Sequence, residues 1–440
     1  MPDLIAQLDS ILLAAQAERR LPSISAAVFR NGDVIWSNAL GLADVETGEA
    51  ATPNHAYRIG SITKTFTAVC VMQLRDAGRV DLDAPLRSYI PEVRPGPTVR
   101  HALAHLSGFQ REPPGEIWET LTPPSRQELL AGLEDAEQVL APGTVWHYSN
   151  LAFGLLGELV VRVSDTAYPA YLETNVLAPL GLRRTSLRPV EPVARGFYVA
   201  PWSDEAKLEP DLELTETTAA LGQLWSTTHD LAAWGSFLAT GREDVLSPAT
   251  LEEMTRVHAM VDEVAWTVGW GLGLTLYRRV DRVLTGHGGA MPGYLAGLVV
   301  DRPQRTGAAV LAGASTGARA EELALDLAGA ALDAAEPEVT VWQPDAGAPD
   351  ELAPLLGPWW VEGNEHVIRY RGGRLEIELI GGPADRSISV LGQEEPDRFR
   401  IVEGRERGEI VRVVRDGEGS IMKLYLATYP MTREPSAFGS

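Results

Sequence analysis

The chain has a single cysteine, Cys70, which excludes an intrachain disulfide, a Cys-based zinc site and an iron–sulfur cluster. Positive charge is also short: 38 Lys and Arg stand against 60 Asp and Glu, a net charge of −22 that repels phosphate backbones and anionic lipid. Neither nucleic acid nor a membrane surface is therefore an expected partner. Lysine is scarcer still, occurring only at Lys64, Lys207 and Lys423, with arginine supplying every other basic side chain. No run approaches the ~18 apolar residues that span a bilayer. The first twenty residues place acids ahead of their apolar positions with no basic segment before them, so a cytoplasmic location is expected.

What is present is a large apolar core in the making: 45% of the 440 residues are hydrophobic and 22% charged, the balance of a globular protein. Leu4, Leu8, Ile11, Leu12 and Ala15 recur at helical spacing ahead of Pro22, predicting an N-terminal helix over 3–19. Asn31-Gly32 between Ile24–Arg30 and Asp33–Asn38 is a hairpin signal. Helices are then predicted at Ser61–Ala77, Val99–Leu106, Arg126–Leu133, Leu151–Val163 and Asp230–Leu238. Strands return at Thr267–Leu276, Arg282–Leu284, Leu295–Asp301 and Gly307–Leu311, before a helix over Ala318–Ala334. Residues 336–354 concentrate Pro, Gly and acids, the composition of a linker between domains at 1–335 and 355–440. The second domain reads as a small antiparallel barrel, with β runs at His366–Tyr370, Leu375–Leu379, Ser387–Leu391, Arg398–Val402, Glu409–Val414 and Ile421–Ala427. The fold class is α+β, an antiparallel sheet flanked by helices with a helical lobe, followed by that barrel.

Ser61-Ile62-Thr63-Lys64 opens a predicted helix, where residues three apart share a face, so the amine lies within reach of the hydroxyl and the helix start favours an alkoxide. With three lysines and serine at about one residue in fifteen, about 0.2 such pairs are expected by chance. A second match, Ser420-Ile421-Met422-Lys423, opens a strand, where positions three apart face opposite ways, and it is read as coincidence. Tyr148-Ser149-Asn150 stands directly before a helix: a tyrosine beside a lysine relays protons, and an Asn amide bonds a substrate carbonyl and the lysine. Taken alone it is also a helix cap with a packed aromatic. Gly286-His287-Gly288-Gly289-Ala290 lets another backbone approach a strand edge, although the same run reads equally as a turn with a solvent-facing His.

Ser-x-x-Lys, then Tyr-x-Asn, then a Gly-flanked His triplet resembles the serine β-lactamase and penicillin-binding-protein superfamily, near its class C, esterase and D-aminopeptidase branches. The resemblance extends over about residues 20–335 through Leu103-Ala104-His105-Leu106-Ser107-Gly108, Ser226-Thr227-Thr228-His229-Asp230-Leu231 and Gly288-Gly289-Ala290-Met291-Pro292-Gly293-Tyr294. It implies a site between sheet and helical lobe in which Ser61 attacks a carbonyl and Lys64 and Tyr148 share the proton transfers. The N–H groups of Ser61 and Ala290 would form the oxyanion hole, Asn150 and His287 would position substrate, and Gly288 and Gly289 would line it. No cofactor or metal is implied. The chain departs from the family where most β-lactamases and transpeptidases carry Lys-Thr-Gly, whose lysine helps bind a substrate carboxylate. Here His287-Gly288-Gly289 resembles instead D-aminopeptidases, some esterases and the penicillin-binding-protein-type thioesterases that release and cyclise nonribosomal peptides.

The C-terminal barrel resembles the lipocalin-like appendage of several of those branches. Arg433, in its Thr-Arg-x-Pro turn, is a candidate for a peptide carboxylate or else a solvated surface group. Trp225 is a candidate wall of the cleft or a packed core residue. His101 and His105 have a metal-ligand spacing, but no Glu follows the first His and the pair belongs to a segment that the resembled family uses structurally, and Cys70 is expected to be an inert buried thiol. The expected substrate is a small peptide or ester next to a D-residue, carrier-linked or thioester-activated in the cyclase reading. Hydrolysis and cyclisation both remain open, as does an idle scaffold whose barrel holds an apolar ligand.

Overall fold

Asn31 and Gly32 take φ of 52° and 92°, the geometry that lets a two-residue hairpin turn keep the twist of its strands. They join β1 (Ser23–Arg30) to β2 (Asp33–Asp44), as the Asn-Gly pair predicts. The computed structural model describes residues 2–335, 342–344, 347–383 and 387–436, and the chain divides into two compact units, Met1–Glu336 and Pro337–Ser440. Residues 336–341 and 345–346 of the expected linker lie outside the described residues.

In the first unit the hairpin belongs to a nine-stranded antiparallel sheet. Its further strands are β3 (Glu49–Ala50), β4 (Ala259–Met260), β5 (Val268–Trp270), β6 (Thr275–Arg279), β7 (Arg282–Met291), β8 (Tyr294–Asp301) and β9 (Thr306–Ala312), in the order β3-β2-β1-β9-β8-β7-β6-β5-β4. The unit's five longer helices are α1 (Pro2–Glu18), α2 (Thr63–Asp76), α3 (Asn150–Ser164), α4 (Thr228–Thr240) and α5 (Ala320–Asp333); α1, α4 and α5 pack on the sheet, and α3 packs on α2. All seven residues of β9 are buried, and the two-residue period of a strand divides them between two cores. Ala308, Val310 and Ala312 pack under α1 and α5, while Ala309 and Leu311 pack towards α2, α3 and α4. Helix α2 is buried on nearly every side, from Thr63 to Met72, and Phe66 stacks on Trp234 of α4 at 3.7 Å. A helix clamped all round is a rigid mount for whatever its first turn presents.

Three elements differ from the sequence reading. The run Thr267–Leu276 is a hairpin, β5 and β6, because Gly273 turns the chain at φ 74°. The helix expected over Val99–Leu106 stops at Leu103, since His105 takes a left-handed φ of 54°. The strand expected to end at Leu284 runs on to Met291, so His287 lies within a strand and is buried rather than solvent-facing.

The second unit is a single sheet of eight consecutive antiparallel strands: Gly357–Val361, Asn364–Arg371, Arg374–Leu379, Ile388–Glu395, Arg398–Glu403, Ile410–Arg415, Ile421–Leu426 and Tyr429–Met431. Trp360 N–H donates to Thr432 O at 2.8 Å and Thr432 N–H to Trp360 O at 3.0 Å, so the first strand meets the chain just past the last and the barrel is nearly closed. Leu352 and Leu355 enter its core with Trp359, Phe399 and Leu424, so ordered packing begins ahead of the expected boundary at Leu355. Arg433 reinforces the closure: its guanidinium lies 3.8 Å from the Trp359 ring centre and donates to the carbonyls of Pro354, Leu356 and Pro358. Those bonds give Arg433 a structural role in place of the carboxylate-binding one considered above. Ser420 and Lys423 flank a strand start, and the Lys423 amine lies against Tyr425.

Candidate active site

Ser61 lies in a 3₁₀ turn, Gly60–Ile62, that runs straight into α2, which places Lys64 one turn further on. The Lys64 amine donates to Ser61 Oγ at 3.0 Å and to Leu221 O at 2.5 Å. It is wholly buried, and burial pushes its pKa down to about 7, with the charge of Glu112 working in the opposite direction. A lysine that is half neutral at pH 7 is a base beside its nucleophile.

Tyr148-Ser149-Asn150 is held by the segment after His105. Ser149 Oγ caps α3 by accepting Ala152 N–H at 3.1 Å and donates to Gln110 O at 2.8 Å, and Ser149 N–H donates to His105 Nδ1 at 3.1 Å. The Tyr148 ring packs 4.3 Å from the His105 ring, with the Lys64 amine 5.1 Å and the Arg111 guanidinium 5.0 Å from its centre. Burial pushes the Tyr148 hydroxyl above its ordinary value, opposed by the neighbouring Ser61 hydroxyl, so it stays protonated and available as a donor. Asn150 departs from its expected role: Nδ2 donates to both carboxylate oxygens of Glu112, at 2.8 and 3.0 Å, and Oδ1 has no partner among the described residues. It therefore presents an acceptor for a substrate N–H rather than a donor for a carbonyl.

His287 is 3% exposed, and burial, then Lys64, pushes its pKa down to about 3, so the ring is neutral. Nδ1 lies 2.5 Å from Gly288 O; a carbonyl only accepts, so Nδ1 carries the proton and Nε2 is an acceptor without a partner. The oxyanion hole expected at Ser61 and Ala290 would depend on two glycines. A Cβ on Gly60 would lie 2.6 Å from Ala290 N, and one on Gly289 would lie 2.0 Å from Ile59 O and 3.2 Å from Ser61 N. Only without them do the backbones carrying the Ser61 and Ala290 N–H groups come together.

These residues line a pocket of about 1000 Å³ in the first unit, with Ser61, Tyr148, Asn150, His287, Gly288, Gly289 and Ala290 all on its wall. Trp225 is not on it: 5% exposed, it packs between the Arg58 guanidinium at 5.6 Å and the Tyr294 ring at 5.3 Å. The wall also holds groups that no motif announces, namely Arg111, Glu112, Trp118, Trp146, Trp270, Tyr277 and Glu321. They come from segments scattered over two hundred residues; the one sequence signal near them is Gly288, in the run that departs from Lys-Thr-Gly. Cys70 is buried and its thiol pushed up, the state of an inert core group. Among the described residues no helix is long and apolar enough to cross a membrane, and no three His, Cys, Asp or Glu gather to hold a metal.

Comparison with known proteins follows the same division of the chain. SurE is 26% identical over 98% of this chain and 99% of its own, with a TM-score of 0.64, and has also been solved with D-Leu. A D-stereospecific amidohydrolase from Streptomyces sp. is 28% identical, covering 73% of this chain and 97% of its own, with a TM-score of 0.62. Esterase EstB of Burkholderia gladioli is 33% identical over 46% of this chain. The match spans 55% of EstB, and under two thirds of the length of the first curated relatives generally. Residues 348–433 match a domain of unknown function (DUF7586). The model described as Beta-lactamase matches residues 8–332, around every motif of the pocket, and the chain belongs to that family.

Proposed function

We propose that the protein is a serine acyl-enzyme hydrolase or acyltransferase acting on small peptide-like amides, esters or thioesters whose acyl residue has the D configuration. The observation that carries this reading is the wholly buried Lys64 amine 3.0 Å from Ser61 Oγ, with its pKa near 7. Neutral Lys64 takes the Ser61 proton as Oγ attacks the carbonyl. The oxyanion develops against the N–H groups of Ser61 and Ala290, and protonated Tyr148 supplies a proton to the departing group. Water or an amine then resolves the acyl-enzyme by the reverse transfers. Likeness to a D-stereospecific amidohydrolase and to a protein solved with D-Leu supports the D preference, and likeness to EstB supports ester turnover.

The finer reading is acyl transfer within a peptide thioester, which releases a macrocycle. A pocket of about 1000 Å³ has room for several residues of such a chain. The test is intact mass spectrometry with D- and L-leucyl nitrophenyl esters and with a peptide thioester bearing a free amine. The expected result is an acyl adduct on the wild type, absent from Ser61→Ala and faster with the D ester. A product lighter than the hydrolysed peptide by one water marks cyclisation, and hydrolysed acid alone marks a hydrolase. No adduct from any of these leaves an idle binding site.

A further inference from the structure

Strand β6 pairs with β7 only from Arg282 to Gly286, so the stretch His287–Met291 is paired by β8 on one side and borders the pocket on the other. A carboxylate stands over this edge. A Cβ on Gly288 would lie 2.1 Å from Glu321 Cδ and 2.3 Å from Oε2, so Glu321 occupies the space that a side chain at 288 would need. Tyr277 donates its hydroxyl to Glu321 Oε1, which fixes the carboxylate. Residues in the first turn of α5 meet the positive end of the helix dipole, which accounts for acids there in general. It does not account for this placement: Glu322, next in the chain, pairs with Arg319, whereas Glu321 is folded over β7 and makes no ion pair among the described residues.

A second feature of the same wall points to a hydrogen-bond donor as ligand. His287 is 3% exposed, its Nδ1–H is committed to Gly288 O, and its Nε2 lone pair has no partner among the described residues. Its ring also lies 6.3 Å from that of Tyr148, the proposed proton donor, so His287 and Gly288 are neighbours of the group that would protonate the departing atom. Where most β-lactamases and transpeptidases carry Lys-Thr-Gly, this chain offers a neutral acceptor and a carboxylate, the reverse of what a substrate carboxylate needs, and Arg319, which also lines the pocket, is paired with Glu322.

We propose that the Gly288 end of the pocket, walled by Glu321 and Tyr277, binds a primary ammonium carried on the leaving group of the substrate. The inference rests on the acyl-enzyme reading above and adds the charge of the group expelled. Its test is a set of N-acetyl-D-leucine esters alike in the acyl group and differing in the alcohol: 3-aminopropyl, butyl and 3-carboxypropyl. The expected order of kcat/KM is aminopropyl over butyl by about five- to tenfold, with carboxypropyl lowest. Glu321→Gln keeps an acceptor for Tyr277 but removes the charge, and is expected to bring the aminopropyl-to-butyl ratio within about twofold of one. Gly288→Thr, whose Cβ displaces the carboxylate, is expected to do the same. A wild-type ratio of one overturns the inference while leaving the acyl-enzyme intact. A ratio that persists in Glu321→Gln also overturns it, tracing the preference to the net charge of −22. Failure of all three esters to turn over or label Ser61 overturns both readings.

Discussion

Lys64 carries the sharpest consequences at the scale of a single residue. Its neutral form is the base, so kcat/KM for an uncharged ester is expected to rise tenfold per pH unit below about 7 and level off above it. His287, near 3, and Tyr148, held above its ordinary range, add no further limb between pH 5 and 9. A profile whose midpoint lay near 10 would mean that Lys64 keeps its ordinary value and is cationic at pH 7. The same depressed value bears on stability. The fold disfavours the charged form, so its cost is full below the folded pKa near 7 and shrinks as pH rises towards the unfolded value of 10.5. Lys64→Met is therefore expected to stabilise the protein, and by about 2–3 kcal/mol more at pH 6 than at pH 9, in denaturant titrations of both proteins. Ser61 and Lys64 were legible in the sequence because one helical turn is a fixed distance. Glu112 and Glu321 were not, because nothing local marks a carboxylate that will meet Asn150 or Gly288 from another part of the chain.

At the scale of elements, β7 shows what periodicity reveals and what it hides. Its first three residues look like a strand, but Gly286-His287-Gly288-Gly289 lacks the branched side chains that signal one, so the pattern predicts a strand that stops at Leu284. The glycines are there because the strand is crowded on both faces, by Ile59 and Ser61 at Gly289 and by Glu321 at Gly288. Gly289→Ala is therefore expected to push the Ile59–Ser61 backbone away and to spoil one oxyanion donor. We expect kcat to fall by about 100-fold or more, with a smaller change in KM. Steady-state kinetics with kcat within threefold of wild type would show that the Ser61 N–H does not depend on this contact. The helix over Val99–Leu103 teaches the same lesson. Its apolar spacing continues to Leu106, yet His105 leaves the helix to accept Ser149 N–H and support Tyr148, a tertiary bond overriding local preference.

The whole molecule was the most legible level, since a Pro- and acid-rich stretch between two differently patterned regions already separates a helix-and-sheet unit from an all-β one. What the pattern missed were the barrel's first and last strands, Gly357–Val361 and Tyr429–Met431, which are short and carry Pro358 and Pro430. They nevertheless close the barrel, through Trp360 and Thr432 and through Arg433 on Trp359. The core around Trp359 runs from Leu352 to Met431 and lies entirely in the second unit, while the pocket residues and their supporting cores lie in the first. Two units that share no core predict two unfolding transitions. Trp359→Ala removes a fully buried indole and is expected to cost the barrel about 3–5 kcal/mol. Calorimetry should then show one transition moved down, with the other in place and Ser61 still acylated up to that second temperature. A single transition that shifts as a whole, carrying Ser61 labelling down with it, would mean that the pocket draws its stability from the barrel and that the two units fold as one.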